Sequence, residues 1–134
     1  MKITIIDGQG GKIGKTIVEQ LKKRHPELEL YAIGTNSLAT ATMLKAGADY
    51  GATGENPCIV NAQDSDVIIG PVGIVVANAL LGEITPAIAT AVGASNAYKI
   101  LIPMNRCNHY VVGCDENGLS DNIRMVCEKV DSLL

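Results

Sequence analysis

The chain has 134 residues, 47% of them hydrophobic and 19% charged, with a formal net charge of −3 and neither Phe nor Trp. That length supports a single domain, residues 1–134, around one aliphatic core, and the composition excludes a disordered chain. The acidic balance gives no long-range pull toward nucleic acid or an anionic membrane surface.

Residues 2–16 carry the strongest local signal. The β-branched run at residues 3–6 reads as a buried strand. It stops at Asp7, and Gly8, Gly10, Gly11 and Gly14 follow within a few positions. A helix is then expected over residues 11–24, because Ile13, Ile17, Val18 and Leu21 recur at helical spacing. Lys22, Lys23 and Arg24 suit its last turn, and His25-Pro26 ends it. His25 reads as a solvated helix-end residue.

A second strand is expected over residues 28–34, followed by the turn Gly34-Thr35-Asn36-Ser37 and a helix over residues 37–45. Residues 48–56 read as a glycine-containing loop, and Asn56-Pro57 as the start of a short helix to residue 62. Residues 66–70 form the third expected strand. Residues 72–81 are almost wholly apolar and read as a helix broken at Gly82. Thr85-Pro86 restarts a helix over residues 87–92. Strands are expected at residues 97–103 and 109–113, around the polar turn at residues 105–108. Ser120 is the expected cap of a last helix over residues 121–133.

This alternation predicts a Rossmann-like three-layer α/β sandwich: a parallel five-stranded sheet in the order 3-2-1-4-5, with helices on both faces. Such sheets bind ligands beyond the carboxyl ends of their strands, at the switch in strand order. The glycine turn there is a candidate anion cradle. The first amides of the helix lack internal partners, and the helix dipole favours negative charge. The candidate binding residues are Gly8, Gln9, Gly10, Gly11, Lys12, Ile13 and Gly14 of this turn. Thr35, Asn36, Ser37, Gly70, Pro71, Val72, Gly73, Asn105 and Arg106 of the other turns share its edge.

Two glycine registers are open, Gly8-x-Gly10 with Gly14, and Gly11-x-x-Gly14 with Gln9 in the first glycine's place. A dinucleotide fingerprint also wants an acid closing the second strand, to hold a ribose hydroxyl. Thr35, Asn36 and Ser37 stand there instead, which argues against ordinary NAD selectivity; the cofactor expectation is NAD(P) or another nucleotide. Gly14-Lys15-Thr16 ends like a P-loop, but Gly8 is one residue too early. Arg106 is a bidentate fork for phosphate or carboxylate.

An enzyme reading uses Cys107 with His109, or Glu55 or Glu83 as a general base. A ligand-free scaffold or regulatory subunit is the third reading. The apolar residues 72–94 would be covered by a second copy in a homodimer, or by each other within one subunit. Cys58, Cys107, Cys114 and Cys127 lack metal-site spacing and read as free thiols, so no metal is expected. The chain enters its first strand without a leader pattern, and residues 67–82 fall short of the ~20 apolar residues of a membrane span. A cytoplasmic protein is expected, with a small phosphorylated ligand as its partner.

Seven stretches carry a resemblance. They are residues 6–11 (IDGQGG), 34–37 (GTNS), 43–49 (MLKAGAD), 51–56 (GATGEN), 70–74 (GPVGI), 82–86 (GEITP) and 103–108 (PMNRCN). Through them the chain resembles a family of short bacterial proteins labelled as a domain of unknown function, DUF3842. That resemblance spans nearly the whole length and implies a short cytoplasmic protein, with no reaction attached. More distantly, residues 2–16 are similar to the first half of Rossmann-type NAD(P) domains, which implies a nucleotide on the glycine turn.

Overall fold

A computed structural model describes residues 1–106 and 108–134. β1 (Ile3–Asp7), α1 (Lys12–Arg24), β2 (Leu30–Gly34), α2 (Ser37–Lys45), β3 (Tyr50–Thr53), α3 (Glu55–Asp64), β4 (Val67–Pro71), α4 (Pro86–Ala94), β5 (Tyr98–Ile102) and α5 (Leu119–Leu133) follow in order. The sheet is fully parallel in the order β3-β2-β1-β4-β5. This is the expected Rossmann-like α/β sandwich.

The strands alternate between two cores. Ile3, Ile5, Val67 and Ile69 face α1, α2 and α5, against Ile17, Val18, Leu21, Met43, Ile123, Val126 and Val130. Ile6, Ile33 and Ile68 face the other side, against Cys58 and Ala62 of α3 and Ile88 and Val92 of α4. β1, β2 and β4 are buried on both faces, which is why they read as continuous apolar runs. The far ends of α1 and α5 are tied by Asp131. It accepts from Arg24 at 2.7 Å and pairs with His25 at 2.6 Å, so His25 is bonded rather than simply solvated.

Three places in the strand order are filled by segments other than those expected. The loop at residues 48–56 contains β3, which pairs Tyr31↔Tyr50 through Gly34↔Thr53 on the edge of β2. Tyr31 and Tyr50 stack with ring centroids 4.7 Å apart, and a side chain at Gly51 would strike Leu44. Residues 67–71 therefore form the fourth strand and lie against β1 on its other side. Residues 109–113 form no strand; Asn105 Oδ1 accepts the Val111 amide at 2.7 Å and curls the chain, leaving β5 on the edge.

Helix limits shift as well. α3 starts at Glu55, with Gly54 (φ 110°) as N-cap, so Pro57 lies inside the first turn, where its missing N–H costs nothing. α5 starts at Leu119, before the expected cap Ser120. The helix expected over residues 72–81 is one 3-10 turn, Val72–Val75, followed by a string of tight turns. β-branched Val72, Ile74, Val75 and Val76 weaken a helix there. Asn78, Leu80, Leu81 and Gly82 all take positive φ. The apolar residues over 72–94 are explained largely inside the subunit, because Ile74, Ala79, Leu80, Ile84 and Ile88 are buried in the second core.

Candidate functional site

β1 delivers Asp7 to the carboxyl edge of the sheet, and Asp7 shapes the turn that follows. Its Oδ1 accepts the Gly8 amide at 2.8 Å and its Oδ2 accepts the Gly14 amide at 2.8 Å. Burial pushes the Asp7 carboxyl above its ordinary range; the Gly14 and Gly8 amides pull it back, and the charge of Glu83 adds to the rise. Gly11, at φ 72°, presses on the Ala39 backbone of α2 and leaves no room for a Cβ. A Cβ on Gly14 would overlap Met43 Sδ, so this glycine lets α1 close onto α2 and β1.

A second carboxylate reaches the turn from the far side. Glu83, in the strap between β4 and α4, accepts the Gln9 amide at 3.0 Å, the Thr35 hydroxyl at 2.7 Å and the Asn36 amide at 2.7 Å. Burial works to raise the Glu83 carboxyl, but the Thr35, Asn36 and Gln9 hydrogen bonds outweigh it and hold the group below its ordinary value. Asn36 also donates to the Gln9 carbonyl at 2.9 Å and caps α2 by accepting the Ala39 amide at 2.9 Å. Composition and spacing marked Glu83 only as one acid in a glycine-flanked turn. Its partners lie 47 to 74 residues away in the chain.

These bonds occupy the amides of Gly8, Gln9 and Gly14, and Gly11 donates to the Gly8 carbonyl at 2.9 Å. Among the described residues, no partner is recorded for the Gly10 and Lys12 amides. Gly10 and Lys12 line a cleft of about 550 Å³ together with Asp7, the rest of the turn Gly8–Ile13, Pro71, Leu80, Met104, Arg106 and Leu119. Gly11 at the start of α1 and Gly118 at the start of α5 make no side-chain cap bond, and at α1 the Asp7 carboxylate takes the Gly14 amide instead. Arg106 reaches over the turn, with Nη1 3.4 Å from Gln9 Oε1. A lining that combines the glycine turn, Lys12 and Arg106 with Leu80, Met104 and Leu119 suits an anion attached to an apolar or aromatic body.

The structure thus brings Gly8, Gln9, Gly10, Gly11, Lys12, Ile13, Pro71 and Arg106 to one cleft. Val72 and Gly73 line a small apolar hollow beside it, with Arg106 and His109. Thr35 and Asn36 do not line the cleft and turn their polar atoms to Glu83; the Thr35 hydroxyl, Glu83 Oε1 and Leu80 Cδ1 crowd the place a Cβ on Gly8 would take. Ser37 is the first residue of α2, and Gly70 is inside the sheet against the Ile6 carbonyl. Asn105 is spent on its own loop, holding Val111 and donating to Asp115 at 3.3 Å. Cys107 lies outside the described residues. Lys15 pairs with Glu19 at 3.9 Å, and the Thr16 hydroxyl donates to the Lys12 carbonyl at 3.0 Å, so the residues of a P-loop ending face along the helix.

A second groove, about 450 Å³ between α1 and α5, has its arginines already paired: Arg24 with Asp131, and Arg124 with Glu128 at 2.7 Å. Among the described residues, no three His, Cys, Asp or Glu side chains converge as a metal site would need, and no helix is long and apolar enough to cross a membrane.

Comparison with known proteins follows the same outline. A family model described as "Domain of unknown function (DUF3842)" matches residues 2–134. No curated protein matches the chain. Among solved structures, a dodecameric FMN-dependent Ubix-like decarboxylase from Escherichia coli O157:H7 is similar in fold, with a TM-score of 0.54 at 15% identity over 97% of this chain and 92% of that one.

Proposed function

The chain belongs to this DUF3842 family, and from that premise we propose that it binds a nucleotide or similar phosphorylated small ligand in the cleft above Gly8–Ile13. The observation that carries the reading is the pairing, in one cleft, of the unpartnered Gly10 and Lys12 amides and Arg106 with the apolar lining of Leu80, Met104 and Leu119. Phosphate takes the amides and the guanidinium; the base or ring lies on the apolar lining. NAD(P) and FMN are the cofactor classes to test first. The similar solved structure is that of an FMN-dependent protein, which supports a nucleotide-derived ligand in this fold.

Self-association is part of the proposal. The similar structure is dodecameric, and Leu81 in the strap is 94% exposed, so a second copy covering residues 72–94 gives it a partner. The free thiols of Cys58, Cys114 and Cys127 suit a reducing cytoplasm. His109 beside Arg106 keeps an enzyme reading open as the second choice.

Thermal unfolding against ADP, NAD, NADP and FMN tests the reading. A ligand at 100 times its dissociation constant adds about 2.7 kcal/mol of stability. A shift with at least one of them is expected; no shift with any of the four rejects the cleft as a nucleotide site.

A further inference from the structure

We infer that the groove between α1 and α5 continues the candidate cleft and holds a long, uncharged amide arm attached to the diphosphate of the bound nucleotide. This rests on the nucleotide reading of the cleft.

α1 and α5 run side by side in the same direction. Leu119, the first residue of α5, lines the cleft with Lys12 and Ile13 from the start of α1. At the other end, Asp131 of α5 bonds Arg24 and His25. Residues three and four apart share a helix face, so Ile13, Thr16, Gln20 and Arg24 form one row along α1. Ile13 belongs to the cleft, and Thr16, Gln20 and Arg24 belong to the groove of about 450 Å³. Leu119 lines both and is 48% exposed, so the two spaces meet at its side chain.

A helical rise of about 1.5 Å per residue puts Arg24 about 12 Å beyond Thr16. An extended chain of about three to four amide units, at about 3.5 Å each, spans that length. The lining sets the chemistry of such a chain. Arg24 is paired with Asp131 and Arg124 with Glu128, both at 2.7 Å, so the cations of the groove are already neutralised and an anionic tail gains little there. Gln20 brings an amide that donates and accepts, and Ser120 a hydroxyl that does the same. The Thr16 hydroxyl gives its hydrogen to the Lys12 carbonyl, which leaves its oxygen as an acceptor. Leu119 and Ile123 add apolar contact. Neutral donors and acceptors interspersed with apolar side chains match amides joined by short aliphatic links. The negative charge of the ligand stays in the cleft, with Lys12 and Arg106.

Calorimetric titration of the full chain with ADP, ADP-ribose and dephospho-coenzyme A tests this. The last two are both diphosphate diesters of adenosine; one ends in a sugar and the other in a pantetheine amide arm. Wild type is expected to bind dephospho-coenzyme A about tenfold or more tighter than ADP and ADP-ribose, through the added hydrogen bonds and apolar contact. Gln20 and Ser120 are exposed and lie on facing helices. Gln20→Trp and Ser120→Trp each put a ring in the groove and are expected to cut that advantage to about twofold, with folding checked by circular dichroism. Equal wild-type affinity for the three compounds overturns the arm groove while the nucleotide site stands. An advantage that survives both substitutions overturns it as well. Binding of none of the three, together with no thermal shift by NAD or FMN, overturns both readings.

Discussion

Asp7 and Gly14 are joined across the whole glycine turn by one hydrogen bond, the Gly14 amide donating to Asp7 Oδ2 at 2.8 Å. With its other oxygen on Gly8, the side chain is an acceptor at both ends and cannot be replaced by an amide without setting an NH2 against a backbone N–H. Asp7→Asn is expected to cost about 1–3 kcal/mol, read by urea unfolding at neutral pH. Because the folded-state carboxyl is raised, its protonated form is favoured in the native protein. Its contribution is therefore full in acid and is lost as pH rises above the ordinary aspartate range. Glu83 runs the other way: its lowered carboxyl stabilises the fold above the ordinary glutamate range, and that is lost as pH falls. Glu83→Gln should flatten the acid-side loss. A Glu83→Gln curve parallel to wild type would show that the carboxylate does not titrate in the native turn.

Two glycines separate packing from conformational freedom. A methyl at Gly70 would overlap the Ile6 carbonyl, so β4 could not stay paired with β1. Gly70→Ala is expected to destabilise by about 1–3 kcal/mol. Gly93, in α4, has nothing near its missing Cβ and no positive φ. Gly93→Ala should stabilise by about 0.5–1 kcal/mol. Two variants with the same sign in denaturant would contradict the close approach of the central strands.

Arg106 is the guanidinium on the cleft wall. Arg106→Ala should weaken whichever nucleotide shifts the melting point by about tenfold, through loss of a charge-assisted contact. Fold stability should stay within about 0.5 kcal/mol of wild type, as for an exposed surface residue. Unchanged affinity would remove Arg106 from the site.

Leu80 and Leu81 stand side by side at φ 57°, a region that costs an L-residue roughly 1–2 kcal/mol. Leu80 is buried over Gly8, whereas the Leu81 side chain is almost fully exposed. Light scattering at micromolar protein is expected to give twice the 14.1 kDa chain mass, and Leu81→Asp to return the single mass. A wild-type mass of one chain would reject the interface.

Cys58 is buried beside Glu55, and burial first, then that charge, pushes its thiol up to about 12. Site-resolved alkylation with iodoacetamide at pH 8 should leave Cys58 unlabelled in the native protein and label it in urea. Native labelling at the unfolded rate would place this face of α3 in the open.

The buried half of the fold was legible because its signals are local. β1, β2, β4, α1 and α5 each carry a periodic apolar stripe or a continuous run and form close to the residues that pattern marked, although β4 pairs with β1 rather than lying beyond β2. β3 was missed because Tyr50-Gly51-Ala52-Thr53 is short and mostly exposed; it is a strand by pairing with β2, not by its own preference. The apolar run at residues 72–81 misled in the opposite way, since uniform apolarity carries no period and the chain there folds as turns. The site was half legible. The glycine turn and Arg106 follow from residue type, whereas the Glu83 bridge to Gln9, Thr35 and Asn36 depends on where the strap lands.

The glycine turn is held from inside by Asp7 and from outside by Glu83 before any ligand arrives. Preorganisation of this kind removes the entropic penalty of ordering a flexible loop on binding. A ligand then meets rigid geometry, and its affinity is governed by the contacts it makes rather than by the loop it must fasten. Association should be fast, with little change in backbone hydrogen exchange at residues 8–14 between the free and bound protein.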